Sequence, residues 1–321
     1  MKIFVTGASG FVGGAAAKRL VADGHEVVAM SRSAASDAKI ATLGAVPVRC
    51  DLESIDASHV EGCDALIHSA AFVEEWGPRD AWYKSNVLGT KAVLDAAKAA
   101  GAGRFIHIGT EAAIVHGQDV DNADESVPLA PWSTYPYCAT KAIAEQLVRD
   151  ANGDGFVTIV LRPRLIWGPG DQTILPAIEK MARDGQFAWI DRGEVMTSST
   201  HIANLVEAIV LALGKGHGGE AYFILDDGQR SMRDVMTGLA GTRGITLPDR
   251  NIPSAVARPA AALLEKTWRL FSLKGAPPVT RQAVMLMSCN CTLNDAKARA
   301  ELGYVPVISF EQGLAELAGR V

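Results

Sequence analysis

The stretch "KIFVTGASGFVGGAAAKRL", residues 2–20, sets a short apolar run directly before three glycines and an alanine-rich helical run. The run is typical of a β-strand, and the glycine loop opens the helix that follows. Gly7 suits a tight turn, Gly10 lets backbone amides approach a pyrophosphate, and Gly13 lets the helix pack close to the strand. Amides at a helix N-terminus favour anions. The stretch therefore predicts a phosphate-binding loop.

Strand-like and helix-like segments keep alternating through the first half of the chain. The further β-rich runs are "EVVAM", "VPVRC", "ALIHS", "RFIHIG" and "VTIVLRP". This alternation predicts an α/β fold with a doubly wound parallel sheet, covered on both faces, over residues 1–165. A smaller, mostly helical substrate-binding region is expected at 166–321. The segment 195–225 is expected to return to the sheet.

Bulk properties exclude several classes of function. The 321 residues carry a net charge of −5 without a basic run, so nucleic acid is not an expected partner. The five scattered cysteines lack a C-x-x-C pair, so no metal site and no disulfide framework are predicted. The first residues already form a predicted core strand, and no apolar run approaches the ~18 residues of a membrane span. A cytoplasmic location is expected.

The stretch "STYPYCATKA", residues 133–142, contains a candidate acid/base pair. Pro136 moves Tyr135 out of the helical region and suits the first helical turn, so a helix is predicted from Pro136. Tyr137 and Lys141 then share one helix face. Reduction of a carbonyl leaves an alkoxide that a tyrosine can protonate, and a nearby ammonium favours the phenolate. Tyr137 is thus the predicted acid/base, with Lys141 lowering its pKa, although such pairs are often only a packed ring beside a solvated amine.

Taken together, these motifs resemble the extended short-chain dehydrogenase/reductase family, a Rossmann-type fold. The motifs that carry the resemblance are "TGASGFVG" at 6–13, "CDL" at 50–52, "IHSAA" at 67–71, "NVLGT" at 86–90, "YCATK" at 137–141 and "LRPRLIWGPGD" at 161–171. The last motif is closest to 3β-hydroxysteroid dehydrogenase-like and dihydroflavonol reductase-like members. The expected cofactor-binding residues are Gly7, Ser9, Gly10, Phe11, Val12, Gly13, Arg32, Asp51, Leu52, Ala70, Ala71, Asn86, Tyr137, Lys141 and Pro163.

The resemblance also leaves one catalytic position without its usual hydroxyl. The family places a serine or threonine five residues before a glycine, which here is Gly117, and that position is Ala112. Thr110 lies two residues earlier, on the same side of an extended chain. We therefore expect Thr110 to donate to the substrate oxygen, and Glu111 to point to the opposite face without a chemical part. A regulatory dinucleotide-binding protein with a weakened site is the alternative.

The expected substrate is an apolar small molecule. Four aromatic residues of the second region are candidates to line its pocket, although core packing is an alternative for each: Trp167, Trp189, Trp268 and Phe271. The amphipathic segment "PAAALLEKTWRLFSL" would be a cap helix or a membrane-surface helix. The predicted function is NADP(H)-dependent interconversion of a ketone and a secondary alcohol, with a sugar-nucleotide epimerase or dehydratase as the alternative. Relatives often pair the helices near 80–100 and 137–151 across a two-fold axis, so a homodimer is expected.

The cofactor preference yields a first prediction. The second strand ends in "SRS", residues 31–33, without the carboxylate that marks NAD, and Arg32 can pair with a 2′-phosphate. Calorimetry should show tighter binding of NADPH than of NADH, and Arg32→Ala should remove most of the difference. Equal affinity of the wild type for both would assign the site to NAD.

Overall fold

A seven-stranded parallel sheet forms the centre of the computed structural model, which describes residues 1–78 and 80–319. The strands are β1 (Lys2–Thr6), β2 (Glu26–Ser31), β3 (Val46–Arg49), β4 (Ala65–His68), β5 (Arg104–Ile108), β6 (Val157–Pro163) and β7 (Glu220–Ile224). Their order is β7-β6-β5-β4-β1-β2-β3, and all neighbours are parallel. The predicted doubly wound sheet is confirmed. Its strand order reverses between β1 and β4, where such sheets bind ligands.

Helices cover both faces of this sheet and form most of the second region. The α-helices are α1 (Phe11–Ala22), α2 (Ala34–Thr42), α3 (Gly89–Ala99), α4 (Pro136–Asp150), α5 (Ile174–Arg183), α6 (Ile202–Ala212), α7 (Met232–Gly241), α8 (Ser254–Leu270), α9 (Arg281–Ser288) and α10 (Phe310–Leu317). Short 3₁₀ turns occur at Ala57–Val60, Glu111–Ile114 and Asp191–Gly193, and π-helical turns at Tyr83–Leu88 and Ala298–Leu302. Helix α4 begins at Pro136, as the sequence predicts.

The alternating directions of side chains along the strands give the sheet a hydrophobic core on each of its two faces. Ile3 and Val5 of β1 pack with α1 and α6 on one face of the sheet. Phe4, between them, packs on the opposite face with α3 and α4, because successive side chains of a strand point to opposite sides. A buried ion pair between Arg162 of β6 and Glu145 of α4 adds a polar tie to that second face.

Later segments of the chain rejoin the sheet. Strand β7 pairs with β6, and α6 packs on α1. Four short strands build a second sheet in the order Arg230–Ser231, Met196–Thr197, Cys291–Leu293 and Val120–Ala123. Two-stranded pairs join Ile166–Trp167 to Thr200–His201, and Trp189–Ile190 to Asn251–Ile252. The division into 1–165 and 166–321 stays a prediction.

The expected homodimer can be tested at α3 and α4, which pack side by side. The turn before α3 leaves Tyr83 and Leu88 about half exposed, as an isologous interface would require. We expect light scattering at micromolar concentration to give a dimer, and Leu88→Arg to give a monomer. The matched control Val305→Arg, at an exposed position elsewhere, should stay dimeric. A monomeric wild type would contradict the expectation.

Candidate active site

A cleft of about 850 Å³ runs along the carboxyl ends of the central strands. It is lined by Thr110 and by all but two of the predicted cofactor-binding residues, namely Gly7, Ser9, Gly10, Phe11, Val12, Gly13, Arg32, Asp51, Leu52, Ala70, Ala71, Tyr137 and Pro163. The two that do not line it are Asn86 and Lys141, which are buried behind its wall. The structure thus brings residues from distant parts of the sequence into one site.

The glycine loop leaves no room for side chains between β1 and α1. Gly7 has a φ of +73°, and a Cβ atom on Gly13 would lie only 2.5 Å from the Gly7 carbonyl oxygen. Gly10 caps α1, so the first amides of that helix open towards the cleft. The loop therefore fits a dinucleotide pyrophosphate.

The part of the cleft lined by the predicted cofactor-binding residues is called the cofactor half. At the end of this half away from the glycine loop, Arg32 follows β2 and lines the cleft together with Ser36 and Asp51. One carboxylate oxygen of Asp51 accepts hydrogen bonds from the backbone of Glu53 and Ser54 and from the Ser54 hydroxyl. These bonds, the Ser54 hydroxyl first, hold the pKa of Asp51 below its usual value. This end therefore combines an arginine and a serine with a carboxylate that is largely engaged by its own loop.

Asn86 fixes the loop after β4 to α4. Its side-chain oxygen accepts from the Phe72 amide at 2.7 Å, and its nitrogen donates to the Phe72 carbonyl at 3.1 Å and to Thr140 Oγ1 at 3.2 Å. Thr140 directly precedes Lys141 in α4. Asn86 is thus a positioning residue in this structure, since its polar atoms face protein and it does not line the cleft.

Lys141 extends beneath the cleft rather than into it. Its Nζ donates to the Ile108 carbonyl at 2.8 Å and lies 3.3 Å from His107 Nε2. Burial lowers the pKa of Lys141 to about 8, and it also lowers the pKa of His107 well below the usual value. A neutral His107 can accept a hydrogen bond from the lysine. Sequence reasoning missed this histidine, because only the parallel pairing of strands brings it to α4.

The electrostatics of Tyr137 differ from the expectation. Its pKa is raised, first by burial and then by the Glu111 carboxylate, while a hydrogen bond with Thr110 acts in the opposite sense. Lys141 is not among the groups that shift it, because its amine is directed to β5. The predicted lowering of the Tyr137 pKa by Lys141 is therefore wrong for this structure. Tyr137 is held in its protonated form at neutral pH.

The expected direction of the Glu111 side chain is also wrong. The chain leaves the extended conformation after Thr110, which caps the 3₁₀ turn Glu111–Ile114, so strand alternation no longer decides direction. Glu111 lines the cleft, accepts from Thr110 Oγ1 at 2.6 Å, and pairs with Arg164 Nη1 at 2.5 Å. Arg164 also donates to Thr197 Oγ1 at 2.9 Å. A buried ion pair thus stands beside Ala112.

The half of the cleft beyond Tyr137 has a mixed lining. Besides the ion pair, polar side chains line it at Gln118, Gln172, Thr173, Gln282 and Asn290. Its apolar lining comes from Val115, Leu165, Ile166, Ile174, Met285 and Leu286. The aromatic residues suggested from the sequence do not line it: Trp167 and Trp189 are buried in the core of the second region, and Phe271 is exposed. Three buried free thiols also face the cleft, Cys138, Cys289 and Cys291, and burial raises their pKa values, to about 12 for Cys138 and about 11 for Cys291.

Comparison with known proteins identifies the family. Residues 4–251 match the model of the 3-beta hydroxysteroid dehydrogenase/isomerase family. The chain belongs to this family. Over 99% of its length it is 42% identical to a 4-hydroxy-2-methyl-3-oxo-4-farnesyl-3,4-dihydroquinoline-1-oxide ketoreductase of Stigmatella aurantiaca, of which 96% is covered. It is 37% identical, again over 99% of its length, to a 2-alkyl-3-oxoalkanoate reductase of Stenotrophomonas maltophilia (strain K279a), of which 98% is covered.

The fold comparison agrees with the family assignment. UDP-glucuronic acid 4-epimerase from Bacillus cereus, solved in complex with NAD, superposes with a TM-score of 0.76 at 22% identity, covering 100% of this chain and 98% of the other. At that identity the likeness concerns the fold alone. As a member of the 3-beta hydroxysteroid dehydrogenase/isomerase family, the chain is an NAD(P)-dependent dehydrogenase/reductase of the extended short-chain type.

The buried lysine yields a prediction on stability. Because the pKa of Lys141 is about 8 in the folded chain and 10.5 as its ordinary value, the unfolded chain binds more protons between these two pH values. The contribution of Lys141 to the free energy of unfolding should therefore rise from pH 8 to pH 10.5, by up to about 3 kcal/mol.

Subtracting the stability of a Lys141 variant from that of the wild type separates the contribution of Lys141 from those of other groups that titrate in the same pH range. Denaturant unfolding of the cofactor-free wild type and of Lys141→Met should give a stability difference that changes in favour of the wild type by that amount across the interval. Lys91→Met, at an exposed lysine, is the control and should show no such change. A constant difference for Lys141→Met would mean that its amine is not desolvated.

Proposed function

We propose that the protein interconverts a ketone and a secondary alcohol on an apolar small molecule with NADP(H), and that reduction is its favoured direction. The observation that carries the proposal is the place of Tyr137, which lines the same cleft as the glycine loop and as the apolar side chains of Met285 and Leu286. The names of the two relatives, a ketoreductase and a 3-oxoalkanoate reductase, describe the same class of reaction.

The cofactor half of the cleft supports a phosphorylated dinucleotide. The crowded glycine loop would hold the pyrophosphate, and Pro163 would lie against the nicotinamide. Arg32 and Ser36 would receive a 2′-phosphate. When bound, the dinucleotide supplies the hydride, and the remaining chemistry belongs to side chains of this protein.

Tyr137 supplies the proton. Any tyrosine is protonated at neutral pH, and burial with the Glu111 carboxylate raises the pKa of Tyr137 further, which suits an acid that protonates the oxygen of a ketone under reduction. Alcohol oxidation needs the phenolate instead, and burial together with the Glu111 carboxylate disfavours that anion. Lys141 supports the site from below, through the Ile108 carbonyl and α4.

Two alternatives have less support. A sugar-nucleotide epimerase or dehydratase has less support because the names of the two relatives describe the reduction of a ketone. A dinucleotide-binding regulator with weakened activity is favoured by one observation: Ala112 has no hydroxyl, and the Thr110 proton is directed at Glu111. Thr110 can donate to substrate only if it turns away from that carboxylate.

The role of Tyr137 can be tested with a control from the same motif. Consumption of NADPH should be followed with a 2-alkyl-3-oxoalkanoate and with apolar ketones of graded length. We expect Tyr137→Phe to lower turnover by about 10² to 10⁴ while NADPH affinity stays nearly unchanged, because a general acid is lost. Tyr135→Phe should remain close to wild type. Normal turnover of Tyr137→Phe would overturn the assignment.

A second set of variants separates Thr110 from Ala112. If Thr110 donates to the developing oxyanion, Thr110→Val should lower turnover by about 10², Thr110→Ser should retain most of it, and Ala112→Ser should add little. A silent Thr110→Val combined with a faster Ala112→Ser would instead mean that the donor is missing, and would favour the weakened site.

A further inference from the structure

The outer face of α8 carries apolar side chains where a surface helix normally carries polar ones. Val256, Leu263 and Leu270 are spaced seven residues apart, which places them on one face, and they are 58%, 67% and 77% exposed. The chain that leaves the helix continues this surface with Phe271 and Leu273, which are 67% and 44% exposed. We refer to these five residues as the α8 patch.

The patch is not the packing side of the helix. Ala257 and Ala261 are buried on the opposite side, where α8 packs against α9. Helix α8 therefore already has its partner within the fold, and its second apolar side faces solvent. Contiguous exposed apolar surface of this kind marks a contact with something outside the chain.

Charge indicates what that contact is. Residues 254–274 contain four basic side chains and a single carboxylate, Glu265, on a chain whose net charge is −5. Glu265 is paired with Arg281 at 2.9 Å. Lys266 and Lys274 are exposed beside the patch. Apolar side chains bordered by lysines on a short helix suit the interface of an anionic bilayer.

We propose that residues 254–274 dock on the surface of an anionic lipid bilayer. The 17-residue helix is roughly 25 Å long and lies in the membrane plane, with Leu263, Leu270 and Phe271 entering the headgroup boundary. Lys266 and Lys274 then meet lipid phosphates. In the part of the chain that the structure describes, no helix is long and apolar enough to cross a membrane, so this contact is peripheral.

A second copy of the chain fits the patch less well. A two-fold contact centred on this patch would bring the basic residues of one copy towards those of the other, because isologous interfaces use the same surface twice. Like charges brought together in this way oppose association. A bilayer with anionic lipids offers the opposite charge.

Residues close to the patch in sequence contact the segment at the rim of the cleft. Arg269 lies over the Trp76 ring at 4.1 Å, and Thr280 donates to Glu75, which lines the cleft, at 2.9 Å. Met285 of α9 lines the cleft from the same side. If the proposed function holds, docking brings this side of the cleft towards the bilayer, in which an apolar substrate dissolves. The docking itself does not depend on that function.

Sedimentation with vesicles tests the docking. Vesicles of equal parts phosphatidylcholine and phosphatidylglycerol should bind the wild type at least about tenfold more strongly than vesicles of phosphatidylcholine alone. Leu270→Ser/Phe271→Ser should lower the partition coefficient on the mixed vesicles by about tenfold or more. Lys266→Glu/Lys274→Glu should lower the partition coefficient by a similar factor while leaving the apolar residues in place. This second variant keeps the test valid if the serine variant misfolds. The control Val305→Ser/Val307→Ser, at exposed valines outside the patch, should bind as the wild type does.

The outcomes are distinct. Absence of wild-type binding, or binding by both patch variants as strong as that of the wild type, overturns the proposal. Concentration-dependent self-association in light scattering that Leu270→Ser/Phe271→Ser abolishes would assign the patch to a second copy, and overturns it too. Reduction of a water-soluble ketone with NADPH should be the same for the wild type and the patch variants. If the wild type does not reduce such a ketone, the proposed function is contradicted, whereas the vesicle result is unaffected.

Discussion

A chain of neutral hydrogen bonds from β1 to α4 holds the site together. The Thr6 hydroxyl lies 2.8 Å from His68 Nδ1 and accepts from the Ala70 amide, so the ends of β1 and β4 are clamped to each other. His68 Nε2 reaches Thr90, whose hydroxyl donates to the Asn86 carbonyl. The Asn86 side chain then bonds to Thr140 of α4, next to Lys141. This wall of the cleft and α4 are thus fixed by one buried network, and such networks specify geometry when all members are satisfied.

Beside this neutral frame, the substrate end depends on charge. The ion pair between Glu111 and Arg164 joins the ends of β5 and β6 and faces the cleft. Buried ion pairs of this type add little to the stability of the fold. Removing one of the two partners is nevertheless strongly destabilising, because the other charge is then buried alone. Here the carboxylate also disfavours the Tyr137 phenolate and engages the Thr110 hydroxyl. The absence of a hydroxyl at Ala112 therefore goes together with a different polar arrangement around the tyrosine.

Much of the fold and of the cofactor half could be predicted from the sequence, because Gly7, Gly10 and Gly13 meet a local steric requirement and the strand–helix alternation is strong. Side-chain directions that depend on contacts with other segments of the chain could not be predicted. Glu111 enters the cleft because a 3₁₀ turn replaces the expected strand, and the Lys141 amine is drawn to acceptors on β5, more than thirty residues away. Nor does the sequence distinguish a pocket aromatic from a core one, and Trp167 proved to be core.

The buried cysteines have a practical consequence for handling the protein. All five thiols are buried, and burial raises the pKa of each. Thiolates, not thiols, react with alkylating agents and oxidants, so the native side chains should react slowly near neutral pH. A cysteine introduced at an exposed site would be by far the fastest to react. Fluorescent or spin labels could therefore be attached at chosen positions without first removing the natural cysteines.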